Sequence, residues 1–226
     1  MERKILNKLI KWKNSPKRMP LLIYGARQVG KTYTALTFGK QYYKNTVYIN
    51  MEGSTEIAAI FERDLNCERI LRELSAKSGQ TILKGDTLLI FDEIQSCERA
   101  LTSLKYFCEE APEYHIIAAG SLLGVALNRE KYSFPVGKVD MLTLYPLDFE
   151  EFLWATDNRK MCELIKECYE DFLPNPLHDT AMDLYKNYLV VGGMPRAVSE
   201  YMDTKDFDFV VAAQKSLNDA YIADMA

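Results

Sequence analysis

Long apolar runs are missing from this chain of 226 residues. None approaches the ~20 residues that a helix needs to cross a bilayer, so no membrane partner is expected. Histidine and cysteine are scarce. There are two histidines and five cysteines, the latter being Cys67, Cys97, Cys108, Cys162 and Cys168. No two cysteines form a C-x-x-C pair, so a structural zinc site is not expected. An odd number of unpatterned cysteines reads as a reduced, intracellular set, and the expected location is the cytoplasm. Low-complexity tracts are absent. The opening Met1-Glu2-Arg3-Lys4 leads into a lysine-interrupted helix and has no apolar core of the secretory kind.

What is present suits a folded α/β chain. Hydrophobic residues make up 48% and charged residues 27%, enough for a core and a solvated surface. The formal charge of -4 is unevenly spread. Residues 1–50 hold eleven Lys/Arg and a single acid, Glu2, against seventeen Lys/Arg and thirty-one acids in the rest. A basic first quarter and an acidic body would serve a phosphate ligand, and the surplus is open to nucleic acid.

Periodicity predicts an amphipathic helix over residues 2–13. Ile5, Leu9 and Trp12 lie on one side and Lys4, Lys8 and Lys11 on the other. That lysine stripe reads either as a solvated face or as a contact for DNA phosphates. Short apolar runs predict buried strands at 20–24, 47–50, 87–91, 115–119 and 139–144. Helices are expected at 31–40, over 57–75 in one or two pieces, and at 99–110. Strands alternating with helices argue a mainly parallel five-stranded sheet flanked by helices. After Pro146 the pattern turns helical. Asp148 and Glu151 have the spacing of a capping box, and breaks are expected at Pro174-Asn175-Pro176 and Gly192-Gly193-Met194-Pro195. The expected organisation is a P-loop core over residues 1–145 and a smaller all-α lid over 146–226. The last helix ends without a cap or polar tail and reads as cut.

Gly25-Ala26-Arg27-Gln28-Val29-Gly30-Lys31-Thr32 matches G-x-x-x-x-G-K-[ST] between a predicted strand and a predicted helix. Glycines at the ends of that spacing let backbone N–H groups approach phosphate oxygens. The following helix, beginning Lys31-Thr32-Tyr33, offers its N-terminal amides and positive dipole end. Lys31 is the expected counter-ion of the β- and γ-phosphates, and Thr32 the expected ligand of Mg²⁺. Leu88-Leu89-Ile90-Phe91-Asp92-Glu93 puts two carboxylates at the C-terminal end of a buried strand, where open α/β sheets bind ligands. Asp92 is expected to hold magnesium and Glu93 to activate water. Ser121, after the strand 115–119, reads either as a group that orients water or touches the γ-phosphate, or as the N-cap of a helix starting at Leu122. His115 reads as a core histidine and His178 as a surface one. No N-K-x-D segment follows the fourth strand, which argues against guanine recognition, and no acceptor site for a small-molecule kinase is evident.

The combination resembles a family of prokaryotic AAA+-type ATPases whose members usually continue into a C-terminal domain of nuclease-like fold. The matching stretches are residues 20–32, Tyr48-Ile49-Asn50, Phe91-Asp92-Glu93-Ile94-Gln95, Ala119-Gly120-Ser121, residues 146–152 and Gly192-Gly193-Met194-Pro195. The resemblance implies ATP and ADP as ligands with Mg²⁺, a helical lid, and self-association as a further partner expectation. It also implies a sensor role for Ser121 and adenine packing for Pro195. Its usual Gly-Arg ahead of the last strand is Gly137-Lys138 here. Lys138 lacks the fork geometry of an arginine finger, which leaves Arg129 and Arg196 as alternatives. The implied activity is Mg-dependent ATP hydrolysis coupled to lid movement. The alternative is a nucleotide-gated, DNA-associated or protein-binding switch of very slow turnover.

Overall fold

The computed structural model describes residues 1–121 and 135–225. Five strands form one sheet in the order β2-β3-β4-β1-β5. They are β1 (Leu21–Tyr24), β2 (Asn45–Asn50), β3 (Thr87–Asp92), β4 (His115–Gly120) and β5 (Asp140–Thr143). All four neighbouring pairs are parallel. Every residue of β3 and β4 is buried, as expected of central strands covered on both faces. From β1 the chain crosses to the far edge at β2, walks back through β3 and β4, and places β5 on the other side of β1. The strand order therefore reverses around β1, and that reversal opens a crevice at the C-terminal ends of the strands.

The helices accompanying the sheet are α1 (Ile5–Lys13), α2 (Lys31–Tyr42), α3 (Thr55–Arg63), α4 (Cys67–Ser78) and α5 (Glu98–Glu110). The helical stretch expected over 57–75 is two helices, because two polar side chains cap separate starts. Ser54 accepts from Ile57 N, and Asn66 accepts from Arg69 N. The first helix begins at Ile5 rather than near residue 2. The Lys4 backbone N–H donates to a Glu151 carboxylate oxygen at 2.6 Å, so that amide is satisfied from outside the helix. Leu22, Val47, Phe61, Ile70, Leu89, Phe91, Leu104 and Phe107 are among the side chains that close the core on one face of the sheet.

Residue contacts divide the chain into two compact units. The sheet unit comprises Ile5–Ala26 and Gly30–Leu144, and the helical unit Met1–Lys4, Arg27–Val29 and Tyr145–Ala226. The helical unit contains α6 (Phe149–Ala155), α7 (Arg159–Glu170), α8 (His178–Val191), α9 (Pro195–Thr204) and α10 (Phe207–Met225). Asp148 and Glu151 make the capping box of α6 in both directions. Leu147, Phe152, Val191, Ala197, Val198 and Val210 form this unit's own core. Pro195 occupies the first turn of α9, where its missing N–H costs nothing. Among the described residues no helix is long and apolar enough to cross a membrane.

Candidate functional site

The loop between β1 and α2 is shaped by its glycines. Gly30 has φ 95°, a left-handed conformation that a side chain would resist. Gln28 also has positive φ, at 60°. Among the described residues no side chain caps α2, and no acid lies in its first turn, so the amides of that turn remain available to an anion. The Lys31 ammonium folds back along the loop, donating to the carbonyls of Gly25 at 3.1 Å and Ala26 at 2.8 Å. Tyr33 points outward and is exposed.

Asp92 ends β3 and is buried. Its Oδ2 accepts from the Thr32 hydroxyl at 2.8 Å and from the Tyr48 hydroxyl at 2.9 Å. Its Oδ1 accepts from the Glu93 backbone N–H at 3.1 Å. A hydroxyl has one proton and two lone pairs. With the Thr32 proton directed at Asp92, the lone pairs of Thr32 are left for a cation. Burial, then the neighbouring Asp92 and Glu93 carboxylates, push the Tyr48 phenol up to about 12, which keeps it a donor at neutral pH.

Glu93 turns the chain out of β3 in a left-handed conformation, φ 49° and ψ 44°. That conformation costs a non-glycine residue on the order of 1–3 kcal/mol and clusters at functional sites. Its carboxylate accepts a hydrogen bond from the Gln95 side-chain amide. Register pairs Tyr24 with Gly120, so Ser121 follows β4 beside the start of the β1–α2 loop. The Ser121 hydroxyl is buried and has no hydrogen-bond partner among the described residues. The alternative of a helix N-cap at Ser121 depends on residues outside the described ones.

Gly25, Ala26, Gly30, Lys31, Thr32, Asp92, Glu93 and Ser121 thus belong to the sheet unit, at the C-terminal edge of β1, β3 and β4. Arg27, Gln28 and Val29 belong to the helical unit. There the Tyr221 hydroxyl donates to the Arg27 carbonyl at 2.7 Å, and the buried Arg3 donates to the Val29 carbonyl at 3.1 Å. Arg3 also reaches the Tyr145 carbonyl and pairs with Glu151 at 3.2 Å. Pro195 lies in the helical unit at the start of α9.

Other candidates are placed elsewhere. Lys138 precedes β5, the edge strand three places from β3, and pairs with Glu109 at 2.9 Å. Arg196 donates to Ser216 at 3.1 Å. Arg129 lies outside the described residues. Lys4 leaves the basic stripe, being paired with Asp148 and Glu150, both at 2.6 Å, while Lys8 and Lys11 are exposed. His115 is buried, and its Nδ1 bonds the Tyr43 hydroxyl at 2.7 Å.

Four contributors were not expected from the sequence: Tyr48, Gln95, Arg3 and Tyr221. Tyr48 and Gln95 fall inside stretches singled out for their resemblance, which was their only signal. Arg3 and Tyr221 meet carbonyls 26 and 194 residues away, and a carbonyl has no sequence signature.

A parallel sheet whose order reverses at a glycine loop, with Lys31 and Thr32 opening α2 and Asp92 ending β3, defines the P-loop nucleotide-binding class. More particularly, the profile of the AAA domain matches residues 17–153, more than half of the chain. The chain belongs to that family, the AAA+ type of P-loop ATPase. No curated protein matches it.

Among solved structures it is similar to PCH-2 of C. elegans, at 12% identity and a TM-score of 0.48, over 96% of this chain and 68% of that one. It is similar to the replication initiator DnaA bound to AMPPCP and single-stranded DNA, at 16% identity and a TM-score of 0.49, over 88% of this chain and 58% of that one. It is similar to the ORC1 protein of Aeropyrum pernix in complex with DNA, at 15% identity and a TM-score of 0.46, over 95% of this chain and 64% of that one. The chain therefore spans less than two thirds of the DnaA and ORC1 chains. At that distance the likeness says nothing of this chain's ligand or partner.

Proposed function

We propose that this chain binds ATP with Mg²⁺ and hydrolyses it to ADP and phosphate. The observation that carries the reading is the hydrogen bond from Thr32 to Asp92. It joins the first turn of α2 to the end of β3 and leaves a hydroxyl oxygen and a carboxylate side by side, the donor set a small hard cation takes. The uncapped first turn of α2 suits the phosphates. Lys31 exchanges the carbonyls of Gly25 and Ala26 for β- and γ-phosphate oxygens. Magnesium held by Thr32 and Asp92 would neutralise developing charge on the phosphates. Glu93 accepts a proton from the attacking water as its oxygen bonds to the γ-phosphorus and the bond to the β-γ bridging oxygen breaks. Ser121, whose hydroxyl has no partner among the described residues, orients that water or the γ-phosphate. Pro195 packs near the adenine, a placement that rests on the family resemblance.

In the same reading the helical unit is the lid. Its support is the pair of hydrogen bonds by which Arg3 and Tyr221 hold the carbonyls of Val29 and Arg27 within that unit. A loop that settles around phosphates then biases the helix and the N-terminal segment bonded to its tip, by no more than the difference in affinity between the two states.

Phosphate release by Glu93→Gln against wild type tests the hydrolytic step. The variant is expected to keep ATP binding and to lose turnover by roughly 10²-fold. Normal turnover would place the base elsewhere. Lys31→Ala is expected to lose tight ATP binding, and wild-type affinity in that variant would remove the phosphate site from this loop. One observation favours the slow-switch alternative. The Glu93 carboxylate is turned toward Gln95, which donates to its Oε2, and a base that must reorient before it meets the water turns over slowly. A basal rate far below the ~1–10³ s⁻¹ of ordinary enzymes would select that reading.

A further inference from the structure

Tyr48 lies on β2, an edge strand of the sheet, and register sets it against Ile90, two residues short of Asp92. Along β2, Val47 and Ile49 are buried while Tyr48 and Asn50 stand on the other side. Tyr48 is therefore not a member of the core that Val47 and Ile49 join. Its hydroxyl nevertheless reaches forward to Asp92 Oδ2 at 2.9 Å, the same oxygen that accepts from Thr32.

An ionised carboxylate offers about four acceptor positions. Three are taken by Thr32, Tyr48 and the Glu93 backbone N–H. Donors converging from α2, from β2 and from the chain just after β3 prevent the carboxylate from rotating and leave about one acceptor position for a cation or its water. Without the phenol, Asp92 keeps two donors and regains freedom about its own side-chain bonds.

We propose that Tyr48 is a positioning residue for the divalent cation, fixing Asp92 so that its remaining acceptor position faces the cation beside Thr32. The proposal rests on the nucleotide-site reading above. Tyr48 acts through Asp92 and touches neither nucleotide nor metal. Groups that orient a metal-binding carboxylate typically contribute 10- to 100-fold in metal affinity.

Tyr48→Phe tests this, because it keeps the ring and removes only the donor. ADP binding is measured by calorimetry in EDTA and across a magnesium titration, on wild type and variant. The manganese–ADP complex is followed in parallel by electron paramagnetic resonance. The expected result is an unchanged ADP affinity in EDTA, with the magnesium needed for half-saturation raised on the order of 10-fold and an altered manganese spectrum. The same magnesium dependence in both proteins would overturn the role of Tyr48. So would an equal loss of ADP affinity with and without metal, since that is the mark of a packing residue. If wild type itself binds no ADP in either condition, the nucleotide reading fails and the proposal with it, an outcome distinct from the other two.

Discussion

The two units of this chain bury their side chains to different degrees. In the sheet unit, β3 and β4 are buried along their whole length, and the large side chains Phe61, Phe91 and Phe107 meet edge to face. In the helical unit, α8 runs for fourteen residues with Val191 as its buried one. Tyr169, Phe172, Leu173, Leu189, Val190 and Phe209 stand exposed there. Phe172 is 93% exposed and has positive φ, where a bulky residue is a true outlier. A layered sheet gives each apolar residue a neighbour above, below and alongside. A few helices around a small core cannot cover all their apolar faces, so apolar side chains of this unit stay in solvent.

That contrast can be tested at single residues. Phe91→Ala removes a fully buried ring from the sheet unit and is expected to cost about 3–5 kcal/mol in thermal or denaturant unfolding. A cost near 1 kcal/mol would mean that the sheet core is looser than its burial implies.

His115 gives the sheet unit a pH signature. Burial, then the charges of Arg18 and Lys13, lower its imidazole to about 4, while Tyr43 and Trp12 pack against its ring. Between pH 4 and 6.5 the unfolded chain binds a proton that the folded chain does not. Stability from this group is therefore complete above pH 6.5 and is lost as pH falls toward 4, by at most about 3 kcal/mol and less where solvent screens the ring. The difference between wild type and His115→Gln across that window isolates it from the carboxylates. A flat difference would show His115 to be charged in the fold.

In the helical unit the sensitive position is a glycine. A Cβ on Gly193 would sit 2.1 Å from the Leu147 carbonyl oxygen, and Leu147 N donates to Gly193 O at 2.7 Å. Gly193→Ala is expected to cost about 1–3 kcal/mol through the displaced backbone. The loss should be seen as faster hydrogen exchange in residues 145–225. Unchanged exchange would make the segment a freely moving hinge rather than a packed crossing. The smallest effect is expected at the exposed ring. Phe172→Ser should shift stability by less than about 0.5 kcal/mol, and a larger loss would show that this ring is covered in solution.

How much of this was legible depends on the range of the interaction. The glycine loop, the apolar strand ending in Asp92-Glu93 and the capping box of Asp148 and Glu151 depend on neighbours a few residues apart, so spacing carries them. The five strands and their parallel sense follow from buried runs alternating with helices. Lys4 shows the opposite case. Its helical spacing with Lys8 and Lys11 suggested one basic face, yet Asp148 and Glu150, more than a hundred residues on, neutralise it.

By itself the sequence determined the glycine loop, the carboxylates that end β3 and the α/β alternation, because each is written in local spacing and polarity. Only the tertiary structure decided the strand order, and with it the side-by-side arrangement of Thr32, Tyr48 and Asp92 from three separate elements. It also decided that the loop's tip is held by Arg3 and Tyr221. These contacts join side chains to distant oxygens, and long-range hydrogen bonds obey geometry that no periodicity records.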